Sequence, residues 1–167
     1  MIKLVLADGQ ELVRAGIQRL LQDEDDMDVV AVADGPEEAV RYARGHRPDV
    51  LIISPGERPD AEVARGLIVD LAEASPKTRL VVLSNNPDAR AARDVLRDGA
   101  LGFVLRTEGP DALTEATRRA AKGEPYINAR VGLTDQTAVS DPSSRLWMIS
   151  SASSRIRSIN SATVGMS

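Results

Sequence analysis

The sequence predicts an α/β protein, a doubly wound parallel sheet with helices on both faces. Three observations carry the prediction. Five short apolar runs recur, at 2–7, 29–32, 50–53, 80–83 and 102–105. Most are continuous rather than alternating, as expected for strands buried on both faces. Segments of helical spacing separate them, and strand–helix alternation repeated five times argues for βαβ units rather than hairpins.

The elements follow in order. "IKLVLA" opens the chain as a strand and ends at Asp8. Leu12, Ala15, Ile17, Leu20 and Leu21 share one broad stripe, predicting a helix over 11–22. Val29 to Val32 form the second strand, and Val40 and Ala43 mark a helix over 37–44. "VLII" at 50–53 is the third strand; Ser54 stands at its tip, and Pro55-Gly56 turns the chain. Val63, Leu67, Ile68 and Leu71 predict a helix over 61–73. The fourth strand, 80–83, is followed by a helix over 88–97 marked by Ala91, Ala92, Val95 and Leu96. The fifth, 102–105, leads to a helix over 111–122 with Leu113, Ala116, Thr117 and Ala120 on one face. Pro36, Pro87 and Pro110 sit at or near helix starts, where a missing N–H costs least. Gly45, Gly99 and Gly123 are expected just past helix ends, where positive φ is common.

Composition narrows the function. The 167 residues suffice for one domain with a substantial core. The only aromatics are Tyr42, Phe103, Tyr126 and Trp147, so that core must be aliphatic. A net charge of −4 gives no general electrostatic drive toward nucleic acid. The absence of cysteine excludes disulfides and thiolate metal sites and fits a cytoplasmic location. "MIKLVLAD" is too short and too quickly acidic for a signal peptide. No run approaches the roughly 18 apolar residues of a membrane span. The domain is expected to occupy 1–130. Residues 131–167 read as a serine-rich, loosely attached tail, with one sticky patch at 146–149 and no recognisable helix-turn-helix.

Several segments together resemble a known family. "IKLVLADGQELVRAGIQRLL", "RPDVLIIS", "TRLVVLS", "DGALGFVLR" and "ALTEATRRAAKGEPYI" are similar, in order and spacing, to response-regulator receiver domains of the NarL/LuxR-like type. The resemblance covers residues 2 to about 130. It implies a flavodoxin-like fold of five parallel strands in the order 2-1-3-4-5. In such sheets the site lies outside the carboxyl ends of the strands where the order reverses. It also implies a site made of two acids after strand 1, an aspartate phosphoacceptor at the tip of strand 3, a hydroxyl after strand 4 and a lysine after strand 5. By position these fall on Asp8, Gly9, Ser54, Ser84 and Arg106, with the backbone near Gly56 completing the pocket. Three of the five depart from the pattern, so the pocket is expected to be a degenerate phosphorylation site.

The residues alone lead the same way. Mg²⁺ binding and phosphoryl transfer call for carboxylates, and only Asp8 is one at these strand tips. Asp8 is thus at most a weak metal ligand, and no cofactor is expected. Arg106 could pair with Asp8 and fill the space itself. Ser54 as a nucleophile would need a base. The one histidine, His46, precedes strand 3, and six residues of extended chain already span roughly 18–20 Å. The acidic run 22–28 and the arginines of 41–47 and 90–97 read as solvated, and Arg118, Arg119 and Lys122 stand near a helix end, where cations favour the dipole.

The leading expectation is an atypical response regulator in signal transduction and transcription control. It would act without aspartyl phosphate, through a protein partner or self-association as a homodimer, with no contact to nucleic acid or membrane by this chain. The alternative is a small-molecule sensor using the vacated pocket. Third comes a Ser54-based enzyme.

Overall fold

The computed structural model describes residues 1–128. Six parallel strands form one sheet: β1 (Ile2–Ala7), β2 (Met27–Ala33), β3 (Val50–Ile53), β4 (Arg79–Ser84), β5 (Gly102–Leu105) and β6 (Tyr126–Ile127). Their spatial order is β2-β1-β3-β4-β5-β6. The helices between them are α1 (Glu11–Gln22), α2 (Pro36–His46), α3 (Asp60–Ala74), α4 (Ala89–Asp98) and α5 (Pro110–Ala121). A single 3₁₀ turn, Arg106–Glu108, joins β5 to α5.

The sheet divides two aliphatic cores. Val5, Ala7, Leu51, Ile53, Val82 and Phe103 point to the side covered by α2, α3 and α4. Leu4, Leu6, Val50, Ile52, Val81 and Val104 point to the side covered by α1 and α5. Successive strand residues alternate between the two, which is why these strands read as unbroken apolar runs. At the β4–β5 pairing Val81 lies opposite Gly102. A Cβ at Gly102 would sit 3.0 Å from Val81 Cγ2, so the strand can approach only as glycine.

The structure corrects the sequence reading in several places. The sheet has six strands, not five, because Tyr126–Ile127 adds in parallel at the edge, opposite Gly102 and Phe103. Two residues give too short a run to register as a strand. Helix α2 passes through Gly45 and ends at His46, and Arg47 beyond it, with φ of 48°, supplies the left-handed cap. Pro48 follows, and the residue before a proline avoids helical geometry. Gly99 and Gly123 do carry positive φ past their helices. Helix α3 begins at Asp60, one residue before the predicted start. The acidic stretch after α1 is not merely solvated: Arg118 on α5 bonds Glu24 at 2.5 Å and Asp26 at 2.8 Å. That pairing holds the Asp26 carboxyl below its usual range, chiefly through the arginine hydrogen bond.

No helix of the described residues is long and apolar enough to cross a membrane. The segment 131–167 and its 146–149 patch lie outside the described residues.

Candidate functional site

The carboxyl ends of β1, β3, β4 and β5 converge, and each delivers a polar residue. Asp8 leaves β1 with its backbone N–H bonded to the Ala33 carbonyl of β2. Ser54 leaves β3 with its N–H bonded to the Ala7 carbonyl, so it lies beside Asp8. Ser84 is the last residue of β4, and Arg106 follows β5 at once. The sequence-predicted residues are thus brought to one edge of the sheet. The parallel ladder explains this: register pairs Ala7 with Ile53, Ile53 with Val82, and Ser84 with Leu105.

Asp8 is almost wholly buried, and its oxygens are committed. The Gln10 N–H donates to Oδ1 at 2.7 Å, and Arg106 Nη2 donates to Oδ2 at 2.6 Å. Only 2% of the Asp8 side chain and 21% of the Arg106 side chain remain exposed. This is a largely desolvated ion pair between residues 98 positions apart in the chain. Arg14 Nη1 donates to the Asp8 carbonyl at 2.7 Å, and Arg106 Nη1 reaches Gln10 Oε1 at 3.5 Å.

Gly9 directly follows Asp8, and Gly56 lies two residues past Ser54. Gly9 is exposed, and an added Cβ would meet only the Asp34 carbonyl at 3.5 Å, an ordinary contact. Gly56 has φ of 71°, which suits the turn after Pro55.

Ser54 is 7% exposed, and its Oγ has no hydrogen-bond partner. Arg106 Nε is the other buried side-chain polar atom without one among the described residues. A hydroxyl with no base in hydrogen-bond reach is not an activated nucleophile. His46 lies exposed at the end of α2, on the β3-entry side, whereas Ser54 follows the β3 exit.

Ser84 has a partner the sequence did not reveal. Its hydroxyl donates to Asp60 Oδ2 at 2.5 Å and accepts the Asn86 N–H at 2.9 Å. Asp60 is buried in the first turn of α3. Burial pushes its carboxyl above the ordinary value of 3.8, with the Ser84 hydrogen bond pulling the other way. An acid directly after Pro59 is a helix-start signal, but its contact with a serine 24 residues on is a tertiary fact.

These donors do not fit a Mg²⁺ site. The ion takes oxygen ligands in near-octahedral geometry. Here Asp8 spends its oxygens on Arg106 and Gln10, Gly9 has no side chain, and Ser54 is neutral. No group of three acids or histidines placed to hold a metal occurs among the described residues.

Residues 4–118 match the family model described as response regulator receiver domain. Oxygen regulatory protein NreC of Staphylococcus haemolyticus is 35% identical over 136 residues, covering 78% of this chain. NreC of Staphylococcus carnosus is 34% identical over the same length. The chain spans 59% of the length of these relatives. Among solved structures, the receiver domain of the response regulator NarL from Mycobacterium tuberculosis superposes with a TM-score of 0.63 at 28% identity, covering 74% of this chain and 98% of that one. A LuxR-family regulator from Aurantimonas shares the fold, with a TM-score of 0.70 at 21% identity over 80% of this chain and 94% of that one.

Proposed function

This chain belongs to the response regulator receiver domain family, and from that premise we propose that it is an atypical receiver signalling without aspartyl phosphate. Its output passes through contact with another protein or a second copy of the chain. One observation carries the reading. At the strand-3 tip stands Ser54, a buried hydroxyl with no partner, while the neighbouring Asp8 is neutralised by Arg106. Phosphoryl transfer to a receiver needs a carboxylate nucleophile and a metal to offset the charge on the transferring group. At the strand-3 tip the chain offers no carboxylate to attack, and the one carboxylate beside it, Asp8, is engaged by Arg106 and Gln10.

The wider role follows the relatives. NreC is named for oxygen regulation, and a solved structure of the regulator RcsB contains DNA. This chain is accordingly assigned to two-component signalling in transcription control. DNA contact is not proposed for the described residues, whose five α-helices serve as covers of the sheet.

The test is direct. The chain is incubated with acetyl phosphate and Mg²⁺, and its intact mass is measured. No hydroxylamine-labile adduct is expected; such an adduct overturns the reading.

A second reading rests on two buried atoms without partners. Ser54 Oγ and Arg106 Nε are buried polar atoms that a small polar ligand could satisfy. Under that reading the corner is a sensor. A screen of small anions and polar metabolites by thermal shift, with Ser54→Ala as control, separates the two.

A further inference from the structure

Helix α4 is moored to α3 at both ends by polar contacts. At its start a relay of hydrogen bonds runs from α3 across the tip of β4. Ser84 Oγ donates to Asp60, and the Asn86 N–H donates to Ser84 Oγ. Asn86 Oδ1 accepts the Asp88 N–H at 3.1 Å, and Asp88 Oδ1 accepts the Arg90 N–H at 2.9 Å. Asp88 is the N-cap of α4. The relay therefore begins on the first residue of α3 and ends in the first turn of α4. At the far end Arg65 of α3 donates through Nε and Nη2 to Asp98 of α4, at 3.1 and 3.0 Å.

The two moorings differ in strength. Arg65 and Asp98 lie at the surface, 66% and 23% exposed, where an ion pair contributes little. Ser84 is 1% exposed and Asp60 8%. In that setting a lost partner leaves a buried polar group unsatisfied, which costs more than the bond itself contributes. The buried link is the one that can fix where α4 begins.

We propose that the Asp60 carboxyl is the acceptor that fixes Ser84 in this chain. Its carboxyl engages the Ser84 hydroxyl from within the molecule and holds the β4–α4 segment in one position with no added group. The proposal rests on the reading that this receiver works without acyl phosphate, and it names what sets the position of α4 instead. One feature supports it. The one O–H of Ser84 is given to Asp60, so a new acceptor would have to displace Asp60 to take it.

The test is amide hydrogen exchange on the full chain with no phosphodonor present, in wild type, Asp60→Ala, Asp60→Asn, Ser84→Ala and the Asp60→Ala/Ser84→Ala double variant. Exchange at Asn86 to Ala92 is expected to rise by about tenfold or more in each alanine variant, as local opening becomes easier. The double variant should exchange no faster than the faster single, because both remove one link. Asp60→Asn keeps an oxygen that can accept from Ser84 and should stay within about threefold of wild type. Unchanged protection in Asp60→Ala, or effects that add in the double variant, would overturn the proposal. If Asp60→Ala does not fold, Ser84→Ala, which deletes one oxygen, decides in the same way. Labelling by acetyl phosphate with protection at 86–92 still dependent on Asp60 would refute the proposed function and leave the clasp standing.

Discussion

Replacing Arg106 with methionine removes the guanidinium and keeps much of the side-chain volume. The variant leaves Asp8 buried with one remaining donor, the Gln10 N–H. Breaking a buried pair by removing one partner costs about 3–5 kcal/mol. The surviving charge-assisted bond, together with the fifth of Arg106 that is exposed and marks where water can enter, brings the expectation to about 3 kcal/mol. In a domain of this size that lowers Tm by roughly 10 °C. Asp8→Asn leaves the charge on Arg106, which water reaches more readily, and should cost about 1–2 kcal/mol. The double variant has no buried charge left unpaired. It should therefore be more stable than the sum of the singles implies, by about 2 kcal/mol. Urea denaturation of the four proteins at neutral pH measures all three quantities. A cost for Arg106→Met under about 1 kcal/mol, or a coupling indistinguishable from zero, would refute the view that this ion pair closes the corner.

Other outcomes follow from the same geometry. Ser54→Ala deletes a buried hydroxyl that bonds nothing, so stability should stay level or rise by up to about 1 kcal/mol; a clear loss by urea denaturation would mean that Ser54 has a partner in solution. Ser54→Asp alone should remain unlabelled by acetyl phosphate, whereas Gly9→Asp, Ser54→Asp and Arg106→Lys together should label measurably on Mg²⁺ titration, since a Cβ at Gly9 meets only an ordinary contact. Equal labelling of the single and triple variants would show that Gly9 and Arg106 did not disable the site. Asp60 has its folded pKa raised above 3.8, so the native state holds the proton longer than the unfolded chain, and Asp60 lowers stability as pH rises from 3.8 through the folded value. The stability of Asp60→Asn relative to wild type should therefore climb across that window, and parallel Tm–pH curves would count against it. The Tyr126 phenol is pushed up to about 12, by burial first and then by the Glu108 charge it donates to at 3.2 Å. Ultraviolet titration should find it moved down in Glu108→Gln, and an unmoved titration would exclude the contact.

Long-period patterns made most of this fold legible. Val50–Ile53 and the other covered strands are continuous apolar runs, and the α1 and α5 stripes follow helical spacing, so each element was readable where several residues agreed. The resemblance to receiver domains named Asp8, Ser54, Ser84 and Arg106, and the parallel ladder brings them to one end of the sheet. What escaped depends on single contacts between distant segments. Tyr126–Ile127 becomes a strand only because β5 lies open beside it. Arg47 caps α2 because Pro48 follows, although Gly45 looked the better stop. Asp60 and Arg118 gain their partners from positions 24 and more than 90 residues away, and no local pattern announces such pairs.

The close approach of Gly102 to Val81 sets a volume rule across the fourth and fifth strands. The two positions share space that holds one branched side chain, so they should vary together among related chains. A larger residue at 102 calls for a smaller one at 81, on the side of the sheet that α5 covers. Gly102→Ala should be harmful by itself and relieved by Val81→Ala, which removes both of the methyl groups that the new Cβ would meet.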